Sequence, residues 1–156
     1  MKTEVPAQAA AGVLSAPHRL EYPYKRSVGK VLGKFFAALR ERRILGVRGS
    51  DGRVLVPPQE YDPVTAETLE DLVPVGNAGV VVSWAWIEKP SAKQPLAGPF
   101  AWALIRLDGA DTALLHAIDA GNPSRLRTGM RVQARWRAER EGSIRDIECF
   151  EPESAR

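Results

Sequence analysis

The sequence predicts a mainly β protein: a five-stranded OB-type barrel preceded by an amphipathic N-terminal helix and a short knuckle. Three observations carry that prediction. Between residues 72 and 152 apolar side chains recur at every second position in short runs, turn-forming segments separate the runs, and a longer connection precedes the fourth. Five such strands in a stretch of this length suit a small closed barrel better than a sandwich of seven or more.

In chain order, residues 1–18 are rich in Ala and Pro without apolar periodicity, so they read as a mobile arm that orders only against a partner. Ser27 can cap a helix. Its apolar positions Val28, Val31, Leu32, Phe35, Phe36 and Leu39 follow the i, i+3, i+4 spacing of one face, with Lys30, Lys34 and Arg40 largely off that stripe. Such a stripe must cover a surface, either the barrel of its own chain or another subunit. Arg48-Gly49-Ser50-Asp51-Gly52-Arg53 then gives a tight turn between two short extended pieces, and Pro57-Pro58 ends the second. An acidic stretch, residues 62–71, leads to the barrel.

In the barrel, Val80, Val82, Trp84 and Trp86 alternate with Val81, Ser83, Ala85 and Ile87, and the Pro-rich residues 89–99 form a loop. Residues 100–107 and 112–118 make a hairpin around Asp108-Gly109-Ala110-Asp111, where Asp-Gly is the turn signal. Met130, Val132, Ala134 and Trp136 alternate with Arg131, Gln133, Arg135 and Arg137, the pattern of a half-buried strand, and residues 144–150 close the set. The chain thus divides into an arm (1–24), a helix (25–44), a knuckle with its acidic linker (45–71), the barrel (72–152) and a tail (153–156).

Composition excludes several classes of function. No apolar run is long enough to span a bilayer and the N-terminus lacks the layout of a secretory signal, so a cytoplasmic protein is expected. The single cysteine, Cys149, permits no internal disulfide and reads as a buried strand thiol. Residues 25–53 hold nine basic and two acidic side chains, whereas residues 54–80 hold five acidic and none basic, which polarises the surface. His18 and His116 are the only imidazoles, His116 reads as a hydrogen-bonded structural residue, and no catalytic constellation is apparent. Arg131, Arg135 and Arg137, on the outward face of one strand, are the candidates for contact with a phosphate or coenzyme A.

The ordered part, about residues 30–152, resembles the zinc-ribbon and OB-fold proteins of domain of unknown function 35. The resemblance rests on the order and spacing of Gly52-Arg53-Val54-Leu55-Val56-Pro57-Pro58, Phe100-Ala101-Trp102-Ala103-Leu104-Ile105-Arg106-Leu107-Asp108-Gly109, Gly129-Met130-Arg131-Val132 and Phe150-Glu151-Pro152. It places the four zinc-ligand positions of such proteins at Arg48, Asp51, Asp62 and Thr65, none of them Cys or His. The ribbon is therefore expected as a degenerate, metal-free knuckle without zinc, with Arg48 pairing to Asp51 or Asp62 in place of part of the lost crosslink. The resemblance implies a non-catalytic accessory subunit in a hetero-oligomer with a thiolase-like or aldolase subunit, such as a retro-aldolase acting on a steroid side chain. A coenzyme A thioester would be the substrate of the complex. Phe35, Phe36 and Leu39 of the helix and Arg48 of the knuckle are the expected partner contacts. The alternatives are a stand-alone OB module for single-stranded nucleic acid, disfavoured because Trp84 and Trp86 share a face that suits burial, and a small enzyme using His116.

Overall fold

The computed structural model describes residues 15–25 and 27–153. Most of the expected arm and tail, residues 1–14 and 154–156, therefore lies outside the described residues. Residues 15–25 have no regular secondary structure and are exposed.

Helix α1 (Gly29–Arg40) is shorter than expected. Val28 takes the capping position without a side-chain bond, while Ser27 Oγ accepts the Gly29 N–H at 3.3 Å. Val31, Phe35, Ala38 and Leu39 are buried, with Leu32 and Phe36 packed beside them, so the helix covers the core of its own chain. Phe35 is 1% and Leu39 0% exposed. These two side chains therefore hold the helix down and are not available to a partner, which corrects the expectation for them. An amphipathic stripe specifies burial without specifying whose surface it buries.

After the helix, β1 (Ile44–Arg48) pairs antiparallel with β2 (Val54–Leu55) around the expected tight turn. Its other edge pairs with β3 (Leu72–Val75), making a three-stranded sheet in the order β2-β1-β3. Residues 72–75 thus belong to this small sheet rather than to the barrel strands. The sheet joins the barrel through the Asp108–Asp111 turn: Val54 N–H donates to Asp111 Oδ2 at 2.8 Å, and Val56 N–H to Thr112 Oγ1 at 2.7 Å.

The barrel comprises β4 (Ala78–Ile87), β5 (Phe100–Leu107), β6 (Leu114–Ile118), β7 (Arg131–Trp136) and β8 (Ile147–Pro152), closed in the order β4-β5-β6-β8-β7. Val81, Ala101, Ala103, Ile105, Leu107, Ile118, Val132 and Phe150 fill its interior, each large side chain contributing about 1.5–3 kcal/mol. Gly79 lets β5 approach closely, since a Cβ there would lie 2.3 Å from the Arg106 carbonyl oxygen.

One departure from strict alternation decides the fate of the tryptophans. A bulge between Val81 and Ser83 leaves Val82 unpaired and exposed, so the buried face passes from Val81 to Trp84 and Trp86. Both indoles pack against the core, as does Trp136. Cys149 is buried, and burial pushes its thiol up to about 11.

Candidate functional site

The cations expected to meet phosphate are divided by their neighbours. Arg131 makes a bidentate pair with Asp108 at 2.6 and 2.7 Å and also donates to Glu153 at 2.9 Å. Its hydrogen bonds hold the Asp108 carboxyl below the usual range. Arg135 donates to Glu148 at 3.0 Å and to Asp119 at 3.1 Å, with Glu151 at 3.5 Å. Both guanidinium groups are thus paired with carboxylates while staying partly exposed, which leaves them less free charge than the outward strand face alone suggests. Arg137, the third, lines a cavity.

That cavity lies where the barrel is least closed. β6 and β8 share one parallel pair, Ile118 with Phe150. Beside this seam a cleft of about 570 Å³ is lined by Trp102 of β5, Leu115 and His116 of β6, Ile147 and Glu148 of β8, Ala92 to Pro95 of the β4–β5 loop, and Arg137, Ile144 and Arg145 of the β7–β8 loop. These two loops and the strands between them form the surface on which OB folds hold ligands. Trp102, Lys93 and Arg145 are site residues that the sequence reading missed. Once five strands had been assigned in OB order, the loops joining the first to the second and the fourth to the fifth would have pointed to them.

The β7–β8 loop is held by a buried carboxylate. Asp146 accepts the N–H groups of Glu141, Gly142 and Ser143 at 3.0, 2.8 and 3.2 Å. Burial alone would raise its pKa, but the three N–H groups and Arg140 keep it low. The Arg137 N–H donates to the Asp146 carbonyl, fixing one cleft cation to the same loop. Arg40 Nη2 donates to the Glu141 carbonyl at 2.6 Å and Arg140 Nε to the Arg40 carbonyl at 2.8 Å, so the end of α1 braces this loop.

His116 is 7% exposed, lies edge-on to Phe150, and its Nδ1 has no hydrogen-bond partner. The expectation of a hydrogen-bonded structural histidine therefore does not extend to Nδ1. Burial lowers its pKa from 6.5, and the nearby Ile144 and Ala117 carbonyls oppose the shift. The unfolded chain therefore takes up a proton that the folded chain resists as pH falls below 6.5. Stability contributed by the neutral ring is complete above that pH and declines below it, by at most about 1.4 kcal/mol per pH unit. Urea unfolding at a series of pH values should show this slope, and His116→Gln should flatten it.

The knuckle carries a second constellation. Asp62 is 3% exposed, and its carboxylate accepts the Ser50 N–H at 2.6 Å, the Val64 N–H at 2.7 Å and the Thr65 N–H at 3.1 Å. The Ser50 N–H foremost, with the Val64 N–H, lowers its pKa to about 2. Three of the four positions laid onto the ribbon take other partners: Asp51 pairs with Arg53 at 2.6 Å, and Arg48 reaches Asp71 at 3.5 Å and the Gly52 carbonyl at 3.2 Å, while Thr65 serves Asp62. The expected pairing of Arg48 with Asp51 or Asp62 is corrected accordingly. These residues do not fit zinc. Tetrahedral structural zinc wants thiolate or imidazole donors, whereas here the one buried carboxylate is engaged by N–H groups and a guanidinium stands at a ligand position. Among the described residues no group of three His, Cys, Asp or Glu side chains is arranged to hold a metal, and no helix is long and apolar enough to cross a membrane.

Comparison with known proteins places the barrel. Residues 72–137 match the family model for the C-terminal OB-fold domain of ChsH2. A DUF35-family protein of unknown function from Sulfolobus solfataricus superposes with a TM-score of 0.55 and 26% identity, covering 69% of this chain and 77% of that one. A chain of the Ltp2-ChsH2(DUF35) aldolase superposes with a TM-score of 0.60 and 21% identity, covering 82% of this chain and 98% of that one. Among curated proteins no sequence match was found.

Proposed function

We propose that the chain, whose residues 72–137 match the model for the C-terminal OB-fold domain of ChsH2 and which superposes on a DUF35-family protein, is a non-catalytic accessory subunit that binds a thiolase-like or aldolase enzyme and supports its use of an acyl-CoA substrate. A steroid side-chain aldolase is one such enzyme. The observation that carries the reading is the distribution of exposed apolar side chains. Among the described residues ten large ones are exposed, and six of them, Leu20, Tyr22, Tyr24, Val28, Tyr61 and Val64, belong to the arm, the start of α1 and the knuckle. Glu60 lies so close to Gly29, which has φ +78°, that a Cβ there would fall 1.6 Å from Glu60 Oε1. The knuckle and the start of α1 therefore share one end of the molecule. Tyrosines projecting from such an end are what protein interfaces use for much of their energy.

The partner surface moves accordingly from Phe35 and Leu39 to Tyr24, 79% exposed, and Tyr61, 60% exposed, while Arg48 stays exposed on the same knuckle and Phe36 is half-buried. Tyr24→Ala with Tyr61→Ala should weaken association with a thiolase-like subunit about tenfold or more, leaving the melting temperature unchanged, when affinity is measured by calorimetry. An unaltered affinity in the folded double variant would argue against this docking end. The nucleic-acid reading is weaker, because Trp84, Trp86 and Trp136 pack against the core rather than offering successive stacking platforms.

A further inference from the structure

We propose that the open side of the β6–β8 seam is a second docking surface, which takes an extended segment of a partner protein, laid as an added strand against β6 and carrying apolar side chains interspersed with Asp or Glu. The proposal deepens the accessory-subunit reading and rests on it for the existence of a partner chain.

Exposed apolar surface is the first ground. Of the ten large exposed apolar side chains, six lie in the arm, the start of α1 and the knuckle, and the other four are Val82, Leu104, Leu115 and Ile144. Strand pairing brings these four to one place. Leu104 of β5 lies opposite Leu115 of β6, Val82 stands in the β4 bulge beside Leu104, and Leu115 and Ile144 line the cleft together. Leu115 is 58% exposed. The outer wall of the barrel therefore carries an apolar patch that no element of this chain covers.

An open strand edge runs beside the patch. Ile118 with Phe150 is the one pair that β6 makes with β8. Asp119 N–H donates to the Phe150 carbonyl at 2.8 Å, so alternation along the strand turns the N–H and C=O of Leu115 to that same side. There they meet the cleft, since β6 has no strand neighbour on that side at Leu115. A guest strand pairs with such an edge through its backbone, and the surface beside the edge selects its side chains. His116 lines the same cleft, is 7% exposed, and its Nδ1 lacks a hydrogen-bond partner. A peptide group alongside β6 is of the kind that would satisfy it.

Charge narrows the guest. Lys93, Arg137 and Arg145 stand around the cleft, and the one carboxylate on its wall, Glu148, is engaged by Arg135 at 3.0 Å. The surface is thus positive around an apolar floor, which favours acidic side chains between apolar ones and disfavours lysine. Asp146 and the Arg40 and Arg140 braces hold the loop that carries Ile144 and Arg145, so this side of the cleft is ordered before a guest arrives.

The test is calorimetric titration of the full chain, without any partner, with a blocked hexapeptide of alternating Val and Glu, its Val and Lys counterpart, the Val and Glu peptide methylated on its backbone nitrogens, and a single-stranded oligonucleotide. The Val and Glu peptide should bind, and the lysine and methylated peptides should bind about tenfold or more weakly. Leu104→Thr with Leu115→Thr, and separately Arg137→Ala with Arg145→Ala, should each weaken the first peptide by a similar factor. All four side chains are exposed, so both variants should melt as the parent does, and Tyr61→Ala, outside the cleft, should bind the peptide normally. Equal binding of the Glu and Lys peptides, undiminished binding of the methylated peptide, an unaltered affinity in either folded double variant, no binding at millimolar concentration, or an oligonucleotide that binds more tightly than the peptide would each overturn the assignment. Because the titration uses this chain alone, its failure would leave partner docking through Tyr24 and Tyr61 standing. Failure of that docking would likewise leave the peptide result untouched.

Discussion

Replacing Phe35 by Ala is expected to remove about 3–5 kcal/mol of folding stability, a large share of what a domain of this size possesses. The ring is 1% exposed and packs in the same cluster as Leu39, Ile44, Val54 and Val56, with the Phe36 ring 5.5 Å away between centroids. Its loss leaves a cavity between α1 and the small sheet. The C-terminal end of α1 also braces the β7–β8 loop through Arg40, so loosening the helix should disturb the cleft as well as the core. Urea unfolding followed by circular dichroism should show the full loss. A change below about 1 kcal/mol would mean that Phe35 faces outward and that the partner-facing reading of the helix stripe was right.

The second large effect is expected at Asp62. In Asp62→Asn one side-chain oxygen becomes an NH₂ that faces backbone N–H donors, so the link from Ser50 to Val64 and Thr65 is broken on one side. The melting temperature should fall on the order of 10 °C near neutral pH. The folded pKa of Asp62 is lowered from 3.8 to about 2, which fixes the sign of the pH dependence. The stability supplied by the carboxylate is complete above about pH 4 and is lost as pH falls towards 2. The gap between parent and variant should therefore close on acidification. Added zinc should stabilise neither protein. Zinc that survives dialysis and raises the melting temperature of the parent would show that the knuckle is a metal site after all.

The barrel was legible because its strands meet the simplest rule of side-chain alternation. Met130, Val132, Ala134 and Trp136 announce one strand, and Asp108-Gly109 announces a hairpin turn that also ties the small sheet to the barrel. The bulge at Val82 was hidden, since an unbroken alternation through Trp84 and Trp86 fits the residues equally well and only pairing with β5 exposes the extra residue. The pairing of Leu72–Val75 with β1 was hidden for a related reason: a short apolar strand does not say which sheet receives it.

The site was less legible than the fold. Arg131 and Arg135 look like Arg137 in sequence, and what separates them is Asp108, Asp119, Glu148 and Glu153, brought alongside by strand pairing across 13 to 23 residues. Asp62 was noticed for lacking a thiol, whereas its work is done by an acceptor for backbone N–H groups that no spacing rule displays. Phe35 and Phe36 are adjacent and alike in type, yet one is in the core and the other half-covered, a distinction set by the 100° turn between neighbouring helical positions.

The accessory-subunit account is tested most directly by acyl-CoA turnover, measured with this chain alone, with a co-produced thiolase-like subunit alone, and with the two together. The account predicts no turnover by this chain alone, and turnover by the assembled pair that exceeds that of the subunit alone and survives His116→Gln within a few fold. Turnover by this chain in isolation, or its abolition by His116→Gln in a complex that remains folded and assembled, would contradict it and place the chemistry in this barrel.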